Sequence, residues 1–135
     1  MADYWGHWLK IGTFSDVEKL PRIYQVNWFR KDADGHFLWP GFGDNSRVLE
    51  WIERCLEGEA GAVDTPIGRV PEAGSLELEG LDITDEQLAE LFKIDPVTWL
   101  AELNLTEEYF DQFGDRVPAE LRGQLVALRE RLQQA

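Results

Sequence analysis

The chain has 135 residues, one cysteine, and 26 acidic against 13 basic side chains, a formal net charge of -13. A single cysteine excludes an internally disulfide-stapled scaffold, and 44% hydrophobic residues are enough for a core of one domain. No apolar run approaches the roughly 20 residues of a membrane helix, Met1–Lys10 lacks the pattern of a signal peptide, and the acidity disfavours nucleic acid and anionic membranes; a soluble, cytoplasmic protein is expected.

The charge is unevenly spread. Residues 1 to 56 hold 8 acidic and 7 basic side chains, and the rest of the acidity lies behind them. The same front segment holds 11 of the 16 aromatics, including five of the six tryptophans. Two readings follow: a packed front half with a solvated helical back half, or an aromatic-lined site in the front half.

In chain order, Tyr4, Trp5, Trp8 and Leu9 have helical spacing behind Asp3 as N-cap, with Gly12 as the stop. The β-branched and aromatic run Ile23 to Phe29 predicts a strand. Phe37-Leu38-Trp39 follows the turn Asp32-Ala33-Asp34-Gly35, so the two runs are expected to form a hairpin or an irregular excursion. Pro40-Gly41-Phe42-Gly43 breaks regular structure. Asp44-Asn45-Ser46 then caps a helix carrying Val48, Leu49, Ile52, Cys55 and Leu56, with Gly58 at its end. Residues 60 to 82 read as extended loop, with Leu76 to Glu79 as a short strand. Three helices close the chain. Thr84 and Gln87 form a capping box, Asp95-Pro96 is an N-cap followed by proline at the first helical position, and Pro118 opens a helix with Leu121, Leu125, Leu128 and Leu132 on one stripe. That stripe is better explained by core packing than by a coiled-coil seam. The fold class is α+β and predominantly helical, in one piece. Its parts are an aromatic segment (1–58), an extended connection (59–83) and an acidic helical segment (84–135).

Catalytic groups are few. His7 and His36 are the only histidines, and Cys55 sits on an apolar helical stripe, where a buried, inert thiol is the better reading than a nucleophile. Asp32-Ala33-Asp34-Gly35 lacks the spacing of a calcium loop and reads as a turn. Neither GxxxxGK[ST] nor GxGxxG occurs. Asn104-Leu105-Thr106 is read as a chance match to a glycosylation sequon. No catalytic residue and no metal ligand is assigned.

Residues 26 to 47 carry the most information. Phe29, Phe37 and Phe42 stand around glycine- and proline-rich turns, and Asn45 stands at a helix start, with Arg30, Lys31 and Arg47 among them. Exposed aromatics stack on planar bases, contributing about 1–3 kcal/mol per base. An amide with nearby backbone N–H groups can separate guanine from adenine, whose hydrogen-bonding edges have opposite polarity. Read from the residues alone, a hydrophobic hairpin followed by a capped helix is the better account of the segment.

The run VNWFRKDADGHFLWPGFGDNSRVLEWI is similar to the C-terminal region of GTP-dependent phosphoenolpyruvate carboxykinases. MADYWGHWL, LPRIYQVNWF, TPIGRVP, LELEGLD and the tryptophan of DPVTW extend that resemblance over nearly the whole chain. The resemblance implies the C-terminal part of a larger mixed α/β nucleotide-binding domain, roughly the last fifth of such an enzyme. It implies that Phe29 and Phe42 sandwich a guanine, that Phe37 meets its edge and that Asn45 reads its polar face. Trp28, Trp39 and Trp51 are expected as scaffold. GTP is the implied substrate nucleotide. The phosphate-binding loop, the manganese or magnesium ligands and the oxaloacetate-binding arginines of the family lie outside this segment. The chain by itself is therefore expected to recognise guanine nucleotide, with the remainder of the parent enzyme as partner, and to be catalytically inactive. A different class of reading is a freestanding interaction module that self-associates through apolar strand and helix faces.

Overall fold

The computed structural model describes residues 1–14 and 16–135. Five α-helices and one two-stranded antiparallel sheet make up its regular structure: α1 (Ala2–Ile11), α2 (Asn45–Glu57), β1 (Ala62–Thr65), β2 (Gly68–Pro71), α3 (Asp85–Phe92), α4 (Pro96–Asp111) and α5 (Ala119–Gln134). This is the expected α+β class with helices predominant. The chain forms two compact units, one of residues 1–21 with 94–135, the other of residues 22–93.

In the first unit α4 and α5 pack on each other, with Leu103 and Leu132 buried together with Val117 and Ala2. The four leucines of the α5 stripe all point away from open solvent, and Leu132, 2% exposed, is the most enclosed of them. Trp5 of α1 meets the rings of Tyr109, Phe110 and Phe113, with centroids 5.2 to 6.2 Å away and mostly edge-on, the arrangement the aromatic quadrupole favours. Asp3 lies inside the first turn of α1 rather than at its cap. The helix starts two residues earlier than expected, and Asp3 acts instead through its charge on the helix dipole.

The second unit departs most from expectation. Residues 22 to 27 have no regular secondary structure, no ladder forms along them, and Ile23 is 84% exposed. A strand needs a partner of matching length, and Phe37-Leu38-Trp39 is too short and is ended by Pro40. The hairpin forms one step later. Leu38 N–H donates to Arg30 O (2.9 Å), Asp32 N–H to His36 O (2.9 Å), and Lys31 bridges Phe37 around the Asp32–Gly35 turn. The regular sheet lies within the stretch expected to be loop. Ala62↔Pro71, Val63↔Val70, Asp64↔Arg69 and Thr65↔Gly68 pair across a two-residue connection. Leu76–Glu79 forms no strand; Leu76 is a core residue of an irregular segment.

The helices of this unit follow their caps. The Thr84 hydroxyl accepts from Gln87 N–H, and the Gln87 side chain accepts from Thr84 N–H, the reciprocal box expected at the start of α3. Its other end is held by Arg30, whose guanidinium donates to Leu91 O (2.9 Å) and Lys93 O (2.7 Å). In Thr84→Ala the hydroxyl's bond to the Gln87 N–H is lost, and a stability loss of about 1 kcal/mol is expected. Faster amide exchange at residues 85–87 alone, read by hydrogen exchange, would locate the loss at this cap. On α2, Val48, Trp51, Ile52 and Cys55 form the inward face, while Leu49 and Leu56 are exposed. Gly58, at φ 77°, ends the helix in the left-handed conformation that glycine adopts without penalty.

Candidate nucleotide-base site

The site grows from the short hairpin and the entry to α2. Asn27 Oδ1 accepts the Phe29 N–H at 3.0 Å, turning the chain at that point. Phe29 and Phe37, on the two arms of the hairpin, meet edge to face with ring centroids 6.2 Å apart. Lys31 Nζ lies 4.9 Å from the centre of the Phe37 ring, a cation–π distance.

Phe42 is different. Its backbone sits at φ 46°, and the preceding Gly41 at φ 78°. Positive φ costs a side-chain-bearing residue about 1–2 kcal/mol, yet the ring so placed is entirely exposed and touches no described aromatic. Neither packing nor backbone preference favours that conformation. With Phe29 72% and Phe37 55% exposed, three phenylalanines within a short stretch present their faces to solvent. Each leaves apolar area in water whose removal is worth about 25 cal/mol per Å². The structure brings Phe29 and Phe37 together and leaves Phe42 standing apart from them.

Asn45 is the first residue of α2 and is half-buried. Its side chain is not a helix cap: Oδ1 accepts the indole N–H of Trp39 at 3.0 Å. The helix entry is held otherwise, with Ser46 Oγ donating to Gly43 O and Arg47 Nε to Asp44 Oδ1. Asp44 has already entered helical conformation at φ -73° and ψ -12°, which removes the geometry a capping side chain needs. Trp39 and Trp51, 4% and 5% exposed, are core as expected, and Trp28 is half-buried. The Trp39–Asn45 bond was not legible in the sequence, although a buried indole N–H always demands an acceptor close by.

Of the three cations near the aromatics, two are committed to the scaffold. Arg30 holds the end of α3, and Arg47 bridges Asp44 and the Glu77 carbonyl. Lys31 stays exposed beside Phe37.

Asp32, Asp34 and His36 bring ligand atoms within 4.8 Å of one another. Asp32 Oδ1 is already engaged by the Asp34 and His36 N–H groups, both at 2.9 Å. A hard divalent cation takes six or more oxygen ligands, which this exposed turn does not gather. The backbone bond from His36 is the main reason the Asp32 carboxyl titrates below the usual aspartate range, partly opposed by desolvation. The sign follows: a depressed folded-state pKa gives stability that is present above the unfolded value and is lost as pH falls through the folded one. A carbon-13 NMR titration is expected to place Asp32 below the ordinary aspartate value, and Asp32→Asn to remove the corresponding acid-side change.

Cys55 is half-buried, less enclosed than expected, and its Sγ faces Ala60 O at 3.8 Å. A groove in the first unit, lined by Gly6, Leu9, Lys10, Thr13, Pro118 and Glu120, gathers no convergent set of donors. Among the described residues no helix is long and apolar enough to cross a membrane.

Residues 1–131 match the family model described as the phosphoenolpyruvate carboxykinase C-terminal P-loop domain. The chain is 52% identical over 131 residues to the phosphoenolpyruvate carboxykinase [GTP] of Renibacterium salmoninarum, which covers 97% of the chain and 22% of that protein. It is 48% identical to the proteins of the same name from Paenarthrobacter aurescens and Treponema pallidum, covering 97% and 98% of the chain and 22% of each. The chain thus spans about a fifth of the length of these relatives, and it belongs to the GTP-dependent phosphoenolpyruvate carboxykinase family, as part of its C-terminal domain.

Proposed function

We propose that this chain is the guanine-nucleotide-recognising portion of a phosphoenolpyruvate carboxykinase. The parent reaction is conversion of oxaloacetate and GTP to phosphoenolpyruvate, CO2 and GDP. The supporting observation is the set of three solvent-facing phenylalanines, one held at positive φ, beside an asparagine amide.

Phe29 and Phe42 stack on the two faces of the base, Phe37 meets its edge, and Asn45 reads its polar side. Stacking supplies affinity, and the amide supplies preference, because a mismatched base strands a desolvated polar group. Residues 1–58 serve as the pocket segment, 59–83 as a connection and 84–135 as helical support.

Phosphoryl transfer depends on positioning and on charge neutralisation by cations. Manganese or magnesium, the phosphate-binding groups and the oxaloacetate site belong to the remainder of the parent enzyme, which is this chain's partner. By itself the chain recognises nucleotide and does not catalyse. Its compartment is the cytoplasm.

Titration of the chain with GTP and with ATP, followed by tryptophan fluorescence, tests this reading. GTP is expected to bind weakly and better than ATP, and both nucleotides to bind more weakly in Phe42→Ala. Equal quenching by both nucleotides, unaltered in that variant, would overturn it.

A further inference from the structure

We propose that Trp39 is a positioning residue for base selection: its indole N–H holds the Asn45 amide oxygen and so turns the NH2 group toward a ligand. This rests on the proposed reading of Asn45 as the group that meets the base. An indole nitrogen donates and never accepts. The amide atom 3.0 Å from Trp39 Nε1 must therefore be the oxygen, whichever way an amide could otherwise turn. Trp39 is 4% exposed, so its N–H has no water to fall back on. Turning the amide over would set two donors against each other and leave the buried one unpaired.

The amide nitrogen is left over. No described acceptor bonds to it, while the backbone of Asn45 is fixed as the first residue of α2. A fixed donor matches the carbonyl oxygen at position 6 of a 6-oxopurine and opposes the amino group at position 6 of adenine. Without the indole N–H the amide turns freely and can present its oxygen, which accepts from that amino group. The preference between purines is thus held by a buried side chain that itself need not touch the base.

The test replaces Trp39 in the full-length protein by benzothienylalanine, in which sulfur takes the place of the N–H in a ring system of nearly the same shape. Trp39→Phe serves as the genetic counterpart, with thermal unfolding recorded for both. Dissociation constants for GTP, ITP and ATP are measured by calorimetry. ITP shares the position-6 oxygen with GTP and lacks its 2-amino group. The GTP-to-ATP and ITP-to-ATP preferences are expected to fall together, by about tenfold, the scale of one mispaired buried polar group. In an Asn45→Asp background, where both side-chain oxygens accept and no donor remains, replacing Trp39 should leave the ratios unchanged. Uniform weakening of all three nucleotides, or full preference retained in the sulfur isostere, overturns the role of Trp39 while leaving the nucleotide reading standing. Absence of any GTP preference in the unmodified protein overturns both.

Discussion

Replacing Leu132 by alanine is expected to lower unfolding stability by about 2–5 kcal/mol, the range for a buried leucine whose surroundings cannot collapse onto the cavity. The side chain is 2% exposed and closes the C-terminal end of α5 against the first unit. An isolated helix of this length is marginal in water, so α5 depends on its packed face. Gly123 within the helix lowers its intrinsic preference further. Loss of Leu132 therefore removes both transfer free energy and the anchor of the last turn. The urea midpoint should shift with little change in slope, the mark of altered stability rather than altered compactness. Leu125, half-buried on the same stripe, should cost less on truncation. A loss below about 1 kcal/mol at Leu132 would mean that the end of α5 frays in solution.

Phe42→Ala should do the opposite: a large effect on ligand and almost none on stability. A fully exposed ring has no burial to lose, so its removal should change unfolding stability by no more than about 0.5 kcal/mol. If the ring covers one face of a purine, truncation removes stacking worth about 1–3 kcal/mol, or roughly five- to 150-fold in the dissociation constant. The pairing of results is diagnostic. A phenylalanine kept for packing would move both quantities together, and one kept for nothing would move neither. Both are measurable on one preparation, by urea unfolding and GTP titration.

What the sequence showed followed the range of the interaction responsible. Caps are local, and Thr84 with Gln87, Asp95 with Pro96, and Gly58 each ended or began a helix where their chemistry required. The Asp95 carboxylate accepts from the Val97 and Thr98 N–H groups, as an N-cap does. Strand pairing is not local. Ile23 to Phe29 has β composition, but composition cannot supply a partner, and the run forms no ladder and ends in a turn at Trp28 and Phe29. Ala62–Pro71 does form a ladder, although its Pro and Gly residues resemble loop punctuation. Its short strands are only half-buried and show no clean alternation.

The candidate site divides in the same way. Phe29, Phe37, Phe42 and Asn45 were assigned through resemblance, because residue type does not distinguish a core phenylalanine from an exposed one. Their exposure became visible only in three dimensions. The Trp39–Asn45 bond depends on two side-chain conformations six residues apart, which no periodicity encodes. Likewise, Arg30 stands among the aromatics in sequence, yet its guanidinium holds the end of α3.

The first unit joins residues 1–21 to residues 94–135, with the whole of the second unit between them in sequence. Trp5 therefore finds Tyr109, Phe110 and Phe113 only after a long loop has closed, at an entropic cost that rises logarithmically with loop length. During synthesis α1 leaves the ribosome before residues 94–135 and must wait for them before Trp5 is covered, while residues 22–93 can fold from neighbours already made. The order of synthesis and the order of assembly are thus reversed for α1. Until then the ring of Trp5 lacks all three of its aromatic partners on α4 and just beyond it.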